Sequence, residues 1–198
     1  YGHCWDDEYA RLVETADGGL CVEEARVLVD EEMAYAVDIA VRYVQERHAL
    51  RGGKLLVEQR VPIGQFTDED DAEGSADVIL LGDTWIEVMD AKFGFKPVTA
   101  SKIVKPAGID CITGEFVPET RLPNLQMSCY TLGSIHRHDL FGEITDVTMT
   151  IVQPFINNID EFSCDVSLLR EVEAFLATKA DETRFNPQFN PSLDACFF

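Results

Sequence analysis

Two acidic side chains and a lysine stand inside one apolar stretch, residues 74–95, GSADVILLGDTWIEVMDAKFGF. Asp77 opens the first hydrophobic run, and Asp90 and Lys92 close the second. Carboxylates are hard oxygen donors, and a pair of them without sulfur or imidazole suits magnesium or manganese better than zinc. A charge at the end of an apolar run needs a partner, because isolated burial is costly. A divalent cation would answer the two acids, and the lysine would stand beside it.

Both runs, Ala76–Leu81 and Trp85–Phe93, are rich in Val, Ile, Leu and aromatics, and Gly82-Asp83 between them is a turn dipeptide. The stretch therefore reads as a β-hairpin. Side chains alternate along a strand, so Asp90 and Lys92 share a face and Ala91 points away. With a two-residue loop at Gly82-Asp83, Leu81 faces Thr84 and Asp77 faces Val88. Asp77 then joins the face of Asp90 and Lys92 as a diagonal neighbour, roughly 7–8 Å away. A three-residue loop would reverse that parity. Ile79, Ile86 and Val88 share the same face, while Val78, Leu80 and Met89 line the other, as in a strand buried on both sides.

These residues resemble a known pattern. Gly74-Ser-Ala-Asp77 followed by Glu87-Val-Met-Asp90-Ala-Lys92-Phe-Gly94 is similar to the metal-binding core of the PD-(D/E)XK nuclease superfamily, and more narrowly of its RecB-like phage-encoded nucleases. Downstream, Gln126-Met-Ser-Cys-Tyr130 resembles that group's Q-x-x-x-Y helix. The resemblance extends in looser form from about Val29 to Phe198. It implies an α/β restriction-endonuclease-like core, a central mixed β-sheet flanked by helices. It also implies a metal-dependent deoxyribonuclease, acting as an exonuclease on phage or bacterial DNA in recombination or repair. Asp77, Asp90 and the Ala91 carbonyl would hold Mg2+ or Mn2+. Lys92 would position water and offset charge at phosphorus, and Gln126 and Tyr130 would complete the pocket. Relative to the family, the chain lacks the N-terminal G-x-x-x-H motif, since His3 has no glycine four places before it. It also stops after one cysteine, Cys196, so no iron–sulfur cluster is expected.

With 198 residues, 46% of them hydrophobic and 26% charged, the chain has the composition of one globular domain with a substantial core. No run approaches the ~20 apolar residues of a membrane span, and no signal-peptide pattern opens the chain. A cytoplasmic protein, in a bacterial host cell, is the expectation. Its six cysteines show neither CxxC nor zinc spacing, which predicts reduced thiols. The net charge of −20 runs against DNA binding, whose surfaces are normally basic. Yet four of the six lysines, Lys92, Lys96, Lys102 and Lys105, fall within fourteen residues beside the proposed site. Lys96, Lys102 and Lys105 are candidates for phosphate contact. Two rival readings follow from the acidity: a catalytically degenerate nuclease fold serving as a binding or regulatory module, and an acidic DNA mimic that captures a basic protein. DNA, a second copy of the chain, or a recombination protein are the expected partners.

The remaining elements must position this hairpin. A short helix is expected over 4–14, with a turn at Asp17-Gly-Gly19, then a strand over 21–29. A helix capped by Asp30 should run to about 46–49 and stop near Gly52-Gly53, burying Met33, Val37, Ala40 or Val41, and Val44. A strand over 54–63 leads toward the hairpin, with Glu58 as a weaker acidic candidate, and residues 68–71 form a solvated acidic loop. Residues 96–122 read as a loop insertion. A helix over 124–136 places Gln126 and Tyr130 on one face. A strand over 146–155, a turn at Asn157-Asn158, a helix over 165–180 and a loop-like end from 186 complete the chain.

Overall fold

The computed structural model describes residues 5–14, 20–28, 30–67, 69, 71–140 and 142–185. His3, the turn at 17–19, part of the acidic run at 68–71, Cys196 and the chain from 186 onward lie outside the described residues. The first described element differs from expectation. Trp5–Glu14 is a strand, β1, paired antiparallel with β2, Leu20–Leu28. The spacing of Trp5, Tyr9 and Val13 fits a helix or a strand alike. The adjacent run over 20–28 supplies a pairing partner, and its backbone hydrogen bonds decide the outcome.

Helix α1, Glu31–Arg51, begins as expected: the Asp30 side chain accepts a hydrogen bond from Met33 N at 2.7 Å. It ends at Gly52, whose N–H reaches His48 O. Its buried face matches the expected one only in part, at Ala40 and the half-buried Val44. Ala36 and Ala40 are buried, whereas Met33, Val37 and Val41 are exposed. The helix packs through small side chains and reaches the sheet with two arginines from its last turns.

Five strands form the central sheet: β3 (Lys54–Pro62), β4 (Glu73–Leu81), β5 (Trp85–Ala91), β10 (Asp146–Gln153) and β11 (Asn158–Asp165), in the order β11-β10-β5-β4-β3. β10 runs parallel to β5, and all other pairs are antiparallel. A parallel neighbour requires a crossover, and helix α3, Leu125–Arg137, makes it. One turn of helix, α2 (Gly64–Thr67), separates β3 from β4, and helix α4, Val166–Phe185, follows β11. Residues 158–165, expected only to leave a turn, form the outer strand β11. Residues 96–122 are more ordered than a loop. They build a two-tier ribbon in which β6 (Ser101–Lys105) pairs with β9 (Thr120–Pro123), and β7 (Gly108–Ile109) pairs with β8 (Phe116–Val117) nearer the tip.

The core lies between the sheet and α3 with α4. Ile79, Ile86, Val88, Val147, Met149 and Ile151 meet Met127, Leu132, Ile135 and Leu169 there. α3 also buries Ser128, Thr131 and Ser134, whose hydroxyls bond back to the carbonyls of Asn124, Met127 and Tyr130 and so need no other partner. Gly133 lets the helix press onto β3: a Cβ there would stand 2.6 Å from Pro62 O.

The opposite face carries a buried acid. Glu87, 0% exposed, receives Arg47 Nε at 2.9 Å, Arg47 Nη2 at 3.0 Å, Arg51 Nη1 at 2.8 Å and Thr150 Oγ1 at 3.2 Å. Arg51 also lies 4.0 Å over the Trp85 ring. This ion cluster fixes α1 to the middle of the sheet. The architecture is therefore a mixed α/β fold, a central mixed sheet flanked by helices. No helix among the described residues is long and apolar enough to cross a membrane.

Glu87→Ala is expected to destabilise the protein by about 3 kcal/mol, because Arg51 then loses its counter-ion and Arg47 keeps only Glu161, 3.0 Å away. Urea unfolding measures the change. A loss below about 1 kcal/mol would rank the cluster with ordinary surface ion pairs.

Candidate metal centre

The geometry of the site begins with a turn. Gly82 N donates to Trp85 O at 2.9 Å, so the turn residues are Asp83-Thr84, one place later than expected. Leu81 then faces Ile86, Ile79 faces Val88 and Val78 faces Met89. The loop still holds two residues, so each partner moves by two positions and every side chain keeps its face. The correction concerns proximity. Continued by one residue, this register sets Asp77 opposite Asp90, where a diagonal placement was expected.

Beyond that pair the backbone ladder ends and a side chain takes over. Ala91 N donates to Asp77 Oδ2 at 2.8 Å, while Lys92 N bonds Val152 O on β10 at 2.9 Å. Asp77 is thus tied to the residue that follows Asp90. Asp90 itself is 3% exposed, among the most buried charged groups of the sheet. Its Oδ2 is buried, and Lys92 Nζ stands 2.8 Å from it as an ion pair. Burial raises the Asp90 carboxyl above the usual aspartate range, Lys92 opposes the rise, and the charge of Asp77 adds to it.

The donor set fits a hard cation. Asp77 and Asp90 supply carboxylates, and the Ala91 carbonyl is a further oxygen. Among the described residues no three His, Cys, Asp or Glu side chains gather into a group of ligands. A pair of carboxylates with water and phosphate filling the remaining positions is the habit of magnesium.

Gln126 and Tyr130 come together as expected. The cap of α3 is Asn124, which accepts from Gln126 N and Met127 N. One turn apart, Gln126 Nε2 donates to Tyr130 Oη at 2.8 Å. The Tyr130 ring lies against β4 at Gly74, where a Cβ would stand 2.7 Å from Cε1. The glycine three places before Asp77 therefore has a local cause: it admits the α3 tyrosine. The three outer lysines are exposed and lie along the chain that leaves β5, Lys96 close to the sheet and Lys102 and Lys105 out on β6.

Two features carry more than the sequence reading gave them. Glu58 is opposite Asp77 on β3 by the register on either side of it, and its φ of 50° is in the left-handed region that few non-glycine residues adopt. Its side chain is exposed and does not join Asp77 and Asp90 in a group of three. Glu87 was quoted only as part of a motif. The signal for its role is Arg47 and Arg51, four apart on one helix face. The half-buried thiol of Cys164 is pushed up to about 11, chiefly by burial, and is not a nucleophile at neutral pH.

An acid whose folded pKa exceeds its unfolded value favours the fold while protonated. That contribution is lost as pH climbs from the unfolded value, about 3.9, through the folded one. Asp90→Asn is therefore expected to raise the melting temperature at neutral pH and to lose the gain below about pH 4. Paired thermal melts across that range check it. A variant less stable than the native protein at neutral pH would show that the charge is kept for structure.

Comparison with known proteins adds a family. The family described as "Protein of unknown function (DUF2800)" matches residues 8–198. Among solved structures, one titled "Crystal structure of SSO0001" is similar at 13% identity with a TM-score of 0.31, over 77% of this chain and 61% of that one. The chain thus spans less than two thirds of the length of that structure. With nearly its whole length matched, the chain belongs to the DUF2800 family.

Proposed function

We propose that the protein is a metal-dependent deoxyribonuclease of the PD-(D/E)XK superfamily, with a restriction-endonuclease-like, RecB-like core. In this reading it acts as an exonuclease on phage or bacterial DNA in the cytoplasm of a bacterial host. One observation carries the reading: Asp77 falls opposite the buried Asp90, and Lys92 Nζ stands 2.8 Å from the Asp90 carboxylate. Asp77, Asp90 and the Ala91 carbonyl would hold Mg2+ or Mn2+. Such a cation, when bound, supplies Lewis-acid polarisation of a phosphoryl oxygen and acidifies a water. Lys92 neutralises Asp90 in the free protein. Relieved of that role, its ammonium turns to the scissile phosphate and offsets the charge that develops there. The Gln126 amide and Tyr130 hydroxyl, already hydrogen-bonded to each other, orient the nucleotide.

A second reading, a binding or regulatory module without catalysis, draws on the same ion pair. Lys92 already balances Asp90, so the fold does not require a cation there. An acidic DNA mimic is a form of this reading and predicts tight capture of a basic protein without metal.

End-labelled linear and circular DNA, digested with magnesium or manganese, separates them. The native protein is expected to degrade linear DNA, and Asp90→Ala or Lys92→Ala to lose about a hundredfold or more in rate. Either variant working at the native rate overturns the assignment. Magnesium is also expected to raise the melting temperature of the native protein and not that of Asp90→Ala, since only a bound ligand stabilises the fold. Calorimetry showing no magnesium binding, with DNA left intact, favours the module.

A further inference from the structure

Where β5 leaves the sheet, three aromatic rings form a ledge. The Phe95 ring stacks on Phe155 with centroids 5.3 Å apart and planes 23° apart. Phe93 meets the same Phe155 ring edge-on, at 6.2 Å and 73°. Phe155 belongs to the 3-10 turn that follows β10, so the ledge spans the carboxyl ends of two adjacent parallel strands. Lys92 and Asp90 stand at the same end. Phe95 is 70% exposed and Phe93 43%. A single exposed phenylalanine is ordinary; two exposed rings set against a third form a flat apolar surface open to solvent.

The ledge is held rigid from beneath. Gln153, 1% exposed, donates through Nε2 to Gly94 O at 3.4 Å and to Lys96 O at 3.0 Å. Its Oε1 accepts from Val98 N at 2.7 Å and from Asn158 Nδ2 at 2.8 Å. One buried amide thus fixes the backbone on both sides of Phe95. The chain that leaves β5 through the ledge is also exceptional in charge. Residues 92–105 hold four lysines and no acid, in a protein of net charge −20.

We propose that Phe93, Phe95 and Phe155 form a stacking platform for the unpaired bases of single-stranded DNA, with Lys96, Lys102 and Lys105 tracking its phosphates. In a duplex both faces of a base are occupied by its neighbours. An unpaired base offers a free π-face, and aromatic stacking accepts any of the four bases. The proposal deepens the nuclease reading and rests on it for the substrate: the strand laid on the ledge is the one whose phosphodiester reaches Asp90.

The test reads binding apart from cleavage. The full chain, with calcium in place of magnesium, is titrated into a short oligodeoxythymidylate carrying one 2-aminopurine near its end. Stacking on the ledge quenches the fluorescence of that base. Phe95→Ala is expected to remove the quench and weaken binding about tenfold, equivalent to ~1.4 kcal/mol for one stacked base. Phe95→Trp is expected to retain both. Phe95 is exposed, so the melting temperature of either variant should match the native one, which excludes unfolding as the cause. Native binding without a quench, equal binding by Phe95→Ala, or equal affinity for the corresponding duplex overturns the platform. A quench by native protein that leaves DNA uncut in magnesium supports the platform and counts against the nuclease. Cutting without a quench does the reverse.

Discussion

β5 buries two carboxylates, and the fold is organised around how differently it satisfies them. Taking an ionised carboxylate out of water costs several kcal/mol unless donors replace the lost solvent. Glu87 and Asp90 are three residues apart, so they face opposite sides of the sheet. On the α1 side, Glu87 is saturated by Arg47, Arg51 and Thr150. On the other side, Asp90 has a single lysine as its partner and lies beside a second acid. A saturated carboxylate is a structural rivet. An unsaturated one, with its proton affinity raised, is a group that the fold tolerates at a cost, and such groups concentrate at functional sites.

The elements around β5 serve that contrast. The parallel pairing of β10 with β5 brings two strand ends to one edge, the position at which open α/β sheets commonly bind ligands. The crossover that parallel pairing demands is α3, and α3 carries Gln126 and Tyr130. Two close approaches seat that helix, one over Gly133 against β3 and one of Tyr130 over Gly74. The ribbon of residues 101–123 is anchored at its base, where Asn124 N bonds Ala100 O and Ala100 N bonds Asp160 Oδ2 at 2.6 Å. The start of α3 is thereby tied to the outer strand β11, and the ribbon projects without disturbing either.

Much of this was legible in the residues, for reasons that can be named. Strand alternation is insensitive to where a two-residue turn falls, so Asp77, Asp90 and Lys92 were assigned to one face although the turn sits one residue later. The cap of α1, Asp30, acts within three residues and needs no tertiary information. The buried face of α1 was read correctly only in part, at Ala40, because apolar spacing does not show whether a helix packs through valine and methionine or through alanine. Here the arginines that reach Glu87 set the rotation of the helix, and that pairing crosses 36 to 40 residues of chain. β1 was misread as a helix because its hydrophobic spacing suits both structures, and its pairing with β2 decides. The aromatic ledge escaped notice for a similar reason: Phe155 is 60 residues from Phe95 in sequence and meets it only through the parallel pairing of β5 and β10.

The outermost strand has a further consequence. Among the described residues β3 pairs on one side alone, and it exposes Leu55 and Val57, the type of rim on which a neighbouring molecule can zip up. Glu58 follows directly, charged, exposed and turned left-handed. A straight foreign strand would lose register there after a few residues, with a carboxylate in its path. The same residue that lies level with Asp77 thus sets a charge and a break in strand geometry on that rim, the kind of feature that discourages edge-to-edge pairing.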